Sequence, residues 1–283
     1  MKRMRTTTIP GGGEVPILGQ GTWRMGENAS ARAAEVDALR TGIDLGMTLI
    51  DTAEMYADGG AERVIAEAIK GRRDEVFIVS KFYPQNATPE RMRAACERSL
   101  KRLGTDRIDL YLLHWRGDVP LRQTLDGFAR LLKEEKIRYA GVSNFDVSDM
   151  EELARLKDGL ELIVTDQVLY NLEKRGVEYD LLPWLRQRHR PAMAYSPIEE
   201  GLLAGRTHPT LKAIAARHDA TPAQVALAWA MRSGDVIAIP KSAKASHVRE
   251  NRGALELTLT KRDLEELDES FAPPSEETPL ATR

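Results

Sequence analysis

Cysteine is nearly absent. Cys96 stands alone among 283 residues, so no internal disulfide can form and the fold must rest on buried apolar surface. Long apolar runs are missing as well: none approaches the roughly 18 residues of a membrane span. The basic start, MKRMRTTTIP, lacks the apolar stretch of about 7 to 15 residues that a secretory signal needs. Together these absences lead us to expect a reduced, cytoplasmic protein. No excess of either charge exists, with 41 basic against 43 acidic side chains and a net charge of -2. That balance argues against a nucleic-acid or membrane-surface binder. The five histidines, at 114, 189, 208, 218 and 247, show no H-x-H or H-E-x-x-H spacing, so metal-assisted chemistry is not expected. No G-x-G-x-x-G follows a strand and no G-x-S-x-G elbow occurs.

What the chain does have is alternation. Short apolar runs of strand type fall at 16–22, 48–51, 76–81, 108–114, 139–144, 163–168, 192–196 and 236–242. Amphipathic patterns of helical period lie between them, at 30–45, 61–70, 90–103, 122–135, 148–156 and 221–232. Thr88-Pro89 and Thr221-Pro222 each place a capping hydroxyl before a first-turn proline. Eight βα units of this size close naturally into a (β/α)8 TIM barrel, with a doubly wound open sheet as the alternative. One barrel domain then spans 1–283. Residues 5–10 and 14–17, joined by Gly11-Gly12-Gly13, read as a β-hairpin closing the barrel bottom. The glycine triplet precedes a strand, so it is a turn and not a phosphate loop. A helix is expected around 246–252 and a last one at 260–270, followed by a short polar tail, 273–283, expected to be mobile. Cys96 sits on the 90–103 helix, where packing is its expected role.

In such barrels the chemistry lies at the carboxyl ends of the strands. Those ends are polar here: Asp51, Lys81, His114, Ser143-Asn144, Gln167, Tyr195-Ser196 and Lys241-Ser242 close seven consecutive strands. Polar groups ending apolar strands are costly unless paired or solvated, so seven in a row form a pattern. Asp51, Lys81 and His114 would converge at the barrel mouth, with Tyr56 leaning over it from the loop after the second strand. An ammonium beside a phenol lowers the phenol's pKa, and the aspartate keeps the lysine charged, so Tyr56 is expected to be a usable acid near neutral pH. Taken singly, these residues read equally well as a turn cap, a solvated lysine, a rim histidine and a packing tyrosine.

The sequence resembles the aldo-keto reductases, of the bacterial NADPH-dependent aldehyde or methylglyoxal reductase type, over essentially its whole length. The motifs that carry the likeness are G-Q-G-T-W (19–23), D-T-A-E-M-Y (51–56), V-S-K (79–81), L-L-H-W (112–115), G-V-S-N-F (141–145), D-Q-V-L-Y-N (166–171), A-Y-S-P (194–197) and I-P-K-S (239–242). The resemblance implies carbonyl reduction by direct hydride transfer from NADPH. Tyr56 would be the general acid, tuned by Lys81 and Asp51, with neutral His114 orienting the carbonyl. It also implies that Ser143, Asn144 and Gln167 meet the nicotinamide carboxamide and that Tyr195 stacks on its ring. Ser196 and Leu203 would line the pyrophosphate, Lys241 and Ser242 the 2'-phosphate, and Glu250 and Asn251 the adenine. Gly21, Thr22, Trp23 and Pro197 complete the implied cofactor contacts.

Two departures from the family pattern stand out. His247 occupies the place where many NADPH-dependent relatives carry arginine, so the chain is expected to prefer NADPH less strictly and to accept NADH. Glu199 and Glu200 fall in the phosphate loop and are expected to turn to solvent. Trp23, Met55, Tyr83 and Trp115 would rim a substrate pocket left open by short loops, suited to small aldehydes such as methylglyoxal and substituted benzaldehydes. The expected state is a monomer with a small carbonyl substrate and no nucleic-acid or membrane partner. Two other functions stay open: a cofactor-retaining redox sensor or accessory subunit, and a Schiff-base lyase using Lys81.

Overall fold

The computed structural model describes residues 3–203 and 208–283. β1 (Thr6–Ile9) and β2 (Gly13–Pro16) pair antiparallel, with Thr6 opposite Pro16 and Ile9 opposite Gly13. Gly11 and Gly12 make the turn at φ +93° and +85°, a left-handed conformation that glycine adopts without strain. Eight further strands form a parallel sheet in sequence order: β3 (Gln20–Gly21), β4 (Leu49–Asp51), β5 (Phe77–Phe82), β6 (Ile108–Leu113), β7 (Ile137–Ser143), β8 (Ile163–Leu169), β9 (Ala192–Tyr195) and β10 (Val236–Ala238).

The sheet closes on itself. Leu18 bridges Ala238 and Gly21 bridges Lys241, both in parallel sense, and the Gly21 N–H donates to Pro240 O at 3.0 Å. A Cβ on Gly21 would stand 2.7 Å from Ile239 O, so only glycine permits this approach. First strand joined to last makes a (β/α)8 barrel and removes the open-sheet alternative. The run expected at 16–22 divides in two, because Pro16 ends the hairpin and only Gln20–Gly21 pair with β4.

Inside the barrel, Leu49, Val79, Leu110, Leu112, Val164, Met193, Ile237 and Ile239 pack together with Ile9 and Val15 of the hairpin. The hairpin therefore plugs the lower end with two aliphatic side chains. Outside, a larger apolar layer joins the sheet to the helices, and it includes Cys96, whose thiol burial pushes up to about 12.

The expected helices form at Arg32–Asp44, Gly60–Ala68, Pro89–Leu103, Leu121–Lys133, Val147–Arg155, Pro222–Ala230, Ala245–Gly253 and Lys261–Ser270. Three more lie outside the patterns named above: Gly159–Leu162 and Leu181–Gln187, too short at 4 and 7 residues to show a period, and Pro209–Arg217. Thr221 caps its helix through a reciprocal box with Gln224, but the Thr88 hydroxyl makes no capping bond, and there Pro89 alone marks the start. Among the described residues no helix is long and apolar enough to cross a membrane.

The segment leading into the tail is tied to the barrel, where Arg175 donates to Phe271 O and pairs with Asp268 at 2.8 Å, and the tail runs on along the barrel wall. Farther on, Thr278 lies over Gly176, whose missing Cβ would meet its hydroxyl, and Leu280 packs on the apolar layer. Arg283 ends at the barrel mouth.

Candidate active site

Strand pleating explains why the polar ends converge. Side chains two residues apart share a face, and Leu49, Val79, Leu112, Met193 and Ile239 point into the barrel. Two residues beyond them stand Asp51, Lys81, His114, Tyr195 and Lys241, which are thereby aimed at the mouth.

Lys81 is 1% exposed and Asp51 2%, a buried ion pair with Nζ 2.9 Å from Oδ1 and 2.8 Å from Oδ2. The same ammonium donates to Thr52 O at 2.8 Å and to the Tyr56 hydroxyl at 3.2 Å. Gln167 Nε2 donates to Asp51 Oδ1 at 2.8 Å, and the Thr22 hydroxyl donates to Asp51 O at 2.9 Å. Asp51 is thus held at side chain and backbone. The His114 ring lies 6.0 Å from that of Tyr56, and its buried Nδ1 has no hydrogen-bond partner.

Burial works against the charge on Lys81, but Asp51 and Tyr56 outweigh it and hold the ammonium above the ordinary lysine value. Burial likewise pushes Asp51 up, with Lys81 and Gln167 pulling it back. For Tyr56 the expected lowering does not occur. Burial raises the phenol, the Lys81 charge lowers it, and the Asp51 carboxylate cancels part of that pull, so the net direction is upward and the proton stays on. Burial, then the Lys81 charge, depress His114 to about 2, which leaves its imidazole neutral.

An aromatic wall surrounds this group. Trp23 meets the Tyr56 ring edge-on at 4.9 Å, Trp115 lies 4.9 Å from His114, and Tyr83 meets Trp115 edge-on at 5.9 Å. Trp23 and Trp115 are 41% and 38% exposed, so their faces remain open to a ligand. Met55 is half-buried beside Tyr56. Glu54, which the sequence did not single out, lies beneath this wall. It accepts from the Tyr83 N–H at 2.9 Å and from Asn86 Nδ2 at 2.8 Å, tying the Tyr83 loop to the Tyr56 loop. Its place inside D-T-A-E-M-Y was the available signal.

Ser143, Asn144, Gln167 and Tyr195 also come together. The Tyr195 hydroxyl donates to Asn144 Oδ1 at 2.9 Å, Asn144 Nδ2 donates to His114 O at 3.1 Å, and Ser143 Oγ donates to Gln167 O at 2.8 Å. Asn144 and Ser196 hold φ of +57° and +47°, left-handed for both. Pro197 and Leu203 are buried beyond Ser196, whose carbonyl accepts from Asn171 Nδ2 at 2.9 Å. Residues 204 and 205, the end of the G-L-L-A-G stretch, lie outside the described residues, as does the Glu200 side chain. Past β10, Lys241 and His247 are exposed, Ser242 turns back to Lys244, Glu250 is half-buried and Asn251 is buried. Gly21 and Thr22 act locally on barrel closure and on Asp51, as described above.

A second expectation fails as well. Glu199 does not turn to solvent but is 8% exposed, accepting from Asn171 Nδ2 at 2.5 Å and pairing with Arg283. The reason is the returning tail, which brings a guanidinium to meet a carboxylate that would otherwise need water. Among the described residues no group of three or more His, Cys, Asp or Glu could hold a metal ion.

Comparison with known proteins agrees with this geometry. The profile of the Aldo/keto reductase family matches residues 17–272. Methylglyoxal reductase YeaE of Escherichia coli K12 is 50% identical over 272 residues, covering 94% of each chain. The Bacillus subtilis glyoxal reductase is 33% identical over 263 residues, covering 93% of this chain and 91% of its own. The crystal structure of an aldo/keto reductase from Klebsiella pneumoniae with NADP and acetate superposes with a TM-score of 0.95 at 48% identity, over 99% of this chain and 100% of that one. With a family profile spanning the barrel and a relative half identical across nearly its whole length, this chain belongs to the aldo/keto reductase family.

Proposed function

We propose that this protein reduces small aldehydes, 2-oxoaldehydes such as methylglyoxal and aromatic aldehydes among them, to alcohols with NADPH. The observation that carries the reading is the Tyr56 hydroxyl 3.2 Å from a buried ammonium that Asp51 holds charged, beside a neutral histidine. The 50% identity to a methylglyoxal reductase supports the substrate class.

The residues present fit a nicotinamide dinucleotide. Ser143, Asn144 and Gln167 offer a hydroxyl and two amides, able to donate to and accept from a carboxamide beside the Tyr195 ring. Ser196 and Leu203 would follow the pyrophosphate, Lys241 and Ser242 would meet the 2'-phosphate, and Glu250 and Asn251 the adenine. When bound, NADPH supplies the hydride. Tyr56, kept protonated by burial, gives its proton to the carbonyl oxygen as charge develops there. The resulting phenolate gains the Lys81 ammonium as its partner, so the same cation that does not overcome burial in the ground state stabilises the charge once formed. Neutral His114 offers an imidazole N–H to the oxygen without adding a competing proton donor. Trp23, Tyr83 and Trp115 offer aromatic faces that favour small, flat carbonyl compounds. Lys81 in its charged, fully engaged state is a poor amine nucleophile, which disfavours Schiff-base chemistry.

Nicotinamide absorbance with methylglyoxal and 4-nitrobenzaldehyde tests the reading. Turnover is expected with NADPH and, more weakly, with NADH, and His247→Arg should widen that preference by about tenfold through a charge-assisted contact. Tight NADPH retention without turnover of either aldehyde would contradict it.

A further inference from the structure

We propose that Glu54 is a positioning residue whose carboxylate fixes the aromatic wall relative to Tyr56 and thereby sets the preference for ring-bearing over compact aldehydes. This rests on the aldehyde-reduction reading above, in which Glu54 has no part. Glu54 is 8% exposed, and a carboxylate so buried is costly unless donors satisfy it. Where those donors come from defines its role.

The backbone of Glu54 is fixed on the side of the proton donor. Its N–H donates to Lys81 O at 3.0 Å, while Lys81 Nζ donates to Thr52 O at 2.8 Å, so the segment after β4 holds the lysine at both ends. The Tyr56 N–H donates to Ala53 O at 3.1 Å, which closes a turn around Glu54 and places the phenol on the same short loop. The side chain reaches the other way. Oε1 accepts from the Tyr83 N–H at 2.9 Å and from Asn86 Nδ2 at 2.8 Å, and Oε2 lies 3.5 Å from Arg98 on the Pro89–Leu103 helix. Tyr83 and Asn86 are the two ends of the single helical turn after β5, so one carboxylate oxygen holds both of them.

Contact carries this constraint to the loop after β6. Gly117 stands against that turn, since a Cβ on it would lie 2.5 Å from Pro84 Cβ. Tyr83 meets Trp115 edge-on at 5.9 Å, and Trp115 lies 4.9 Å from His114. Moving the Tyr83 turn therefore moves the surface against which a substrate ring would rest, while Tyr56 and Lys81 keep their own bonds. A supporting carboxylate of this kind acts on fit at the wall more than on the proton transfer itself.

The experiment measures kcat and KM with NADPH for 4-nitrobenzaldehyde and methylglyoxal in the full chain, comparing wild type, Glu54→Ala, Glu54→Gln and Asn86→Ala. The nitrobenzaldehyde ring reaches the wall, whereas compact methylglyoxal stays beside Tyr56 and His114. Glu54→Ala should raise KM about tenfold for the aromatic aldehyde but about twofold for methylglyoxal, with NADPH affinity within about twofold of wild type. Glu54→Gln keeps an oxygen able to accept both N–H bonds and should restore most of the wild-type preference. Asn86→Ala removes one donor and leaves Glu54 on the Tyr83 N–H, so it should shift the preference the same way by about threefold. It carries the test if Glu54→Ala fails to fold. Equal losses for the two aldehydes, or an unchanged preference, would overturn the positioning role while leaving the reductase reading intact. A wild type that turns over neither aldehyde would overturn both.

Discussion

At the scale of single residues, the site works by a contest between burial and charge. Lys81 and Asp51 neutralise each other in a place where either alone would be costly, and removing one partner would strand the other. The four central residues were legible because each closes an apolar strand or its loop with a polar group. The balance at Tyr56 was not legible: it depends on how deeply the phenol is buried and on how far Asp51 offsets Lys81, which no spacing reports. His114 yields a pH prediction. Its imidazole titrates near 6.5 when unfolded but only near 2 when folded, so between these values the unfolded chain binds the extra proton. Its contribution to stability is therefore complete above pH 6.5 and is lost as pH falls. Urea unfolding at pH 5 and pH 7 should show the wild type losing about 1.4 kcal/mol more per pH unit than His114→Gln below the unfolded pKa.

At the scale of elements, sequence signals were sound wherever a pattern repeats and weak wherever one group decides. The long amphipathic helices appear close to their expected bounds, whereas Leu181–Gln187 is too short to show a period and carries Pro183 inside it. The two threonine-proline starts look alike in sequence, yet only Thr221 makes its capping bonds. Thr221→Ala should cost about 1 kcal/mol in urea unfolding while Thr88→Ala stays within about 0.5 kcal/mol. Equal losses would show that the hydroxyls contribute alike and that the capping box is immaterial. Glu54 is the matching case at the mouth. It joins the Tyr56 and Tyr83 loops through bonds whose geometry arises only once both loops are folded.

At the scale of the whole molecule, one end of the barrel is plugged by aliphatic residues and the other holds the polar cluster proposed as the active site. Ile9 is 1% exposed within the barrel interior, on the hairpin side opposite Lys81. Ile9→Ala should therefore cost about 2 to 5 kcal/mol of stability, while KM for aldehyde and cofactor stays at the wild-type value. A raised KM at unchanged stability would mean that the plug reaches the mouth. The closed barrel was legible from eight repeated units, but the return of the tail was not, since residues 273–283 carry no periodicity and their anchors, Gly176 and Glu199 among them, are scattered along the chain. That return changes the mouth from an open rim to one crossed by an ion pair. The central claim is that Tyr56 delivers the proton during carbonyl reduction, and single-turnover oxidation of NADPH by methylglyoxal in Tyr56→Phe tests it most directly. NADPH binding should persist while the single-turnover rate falls by about 10² to 10⁴. A variant that binds NADPH and oxidises it at the wild-type rate would contradict the account.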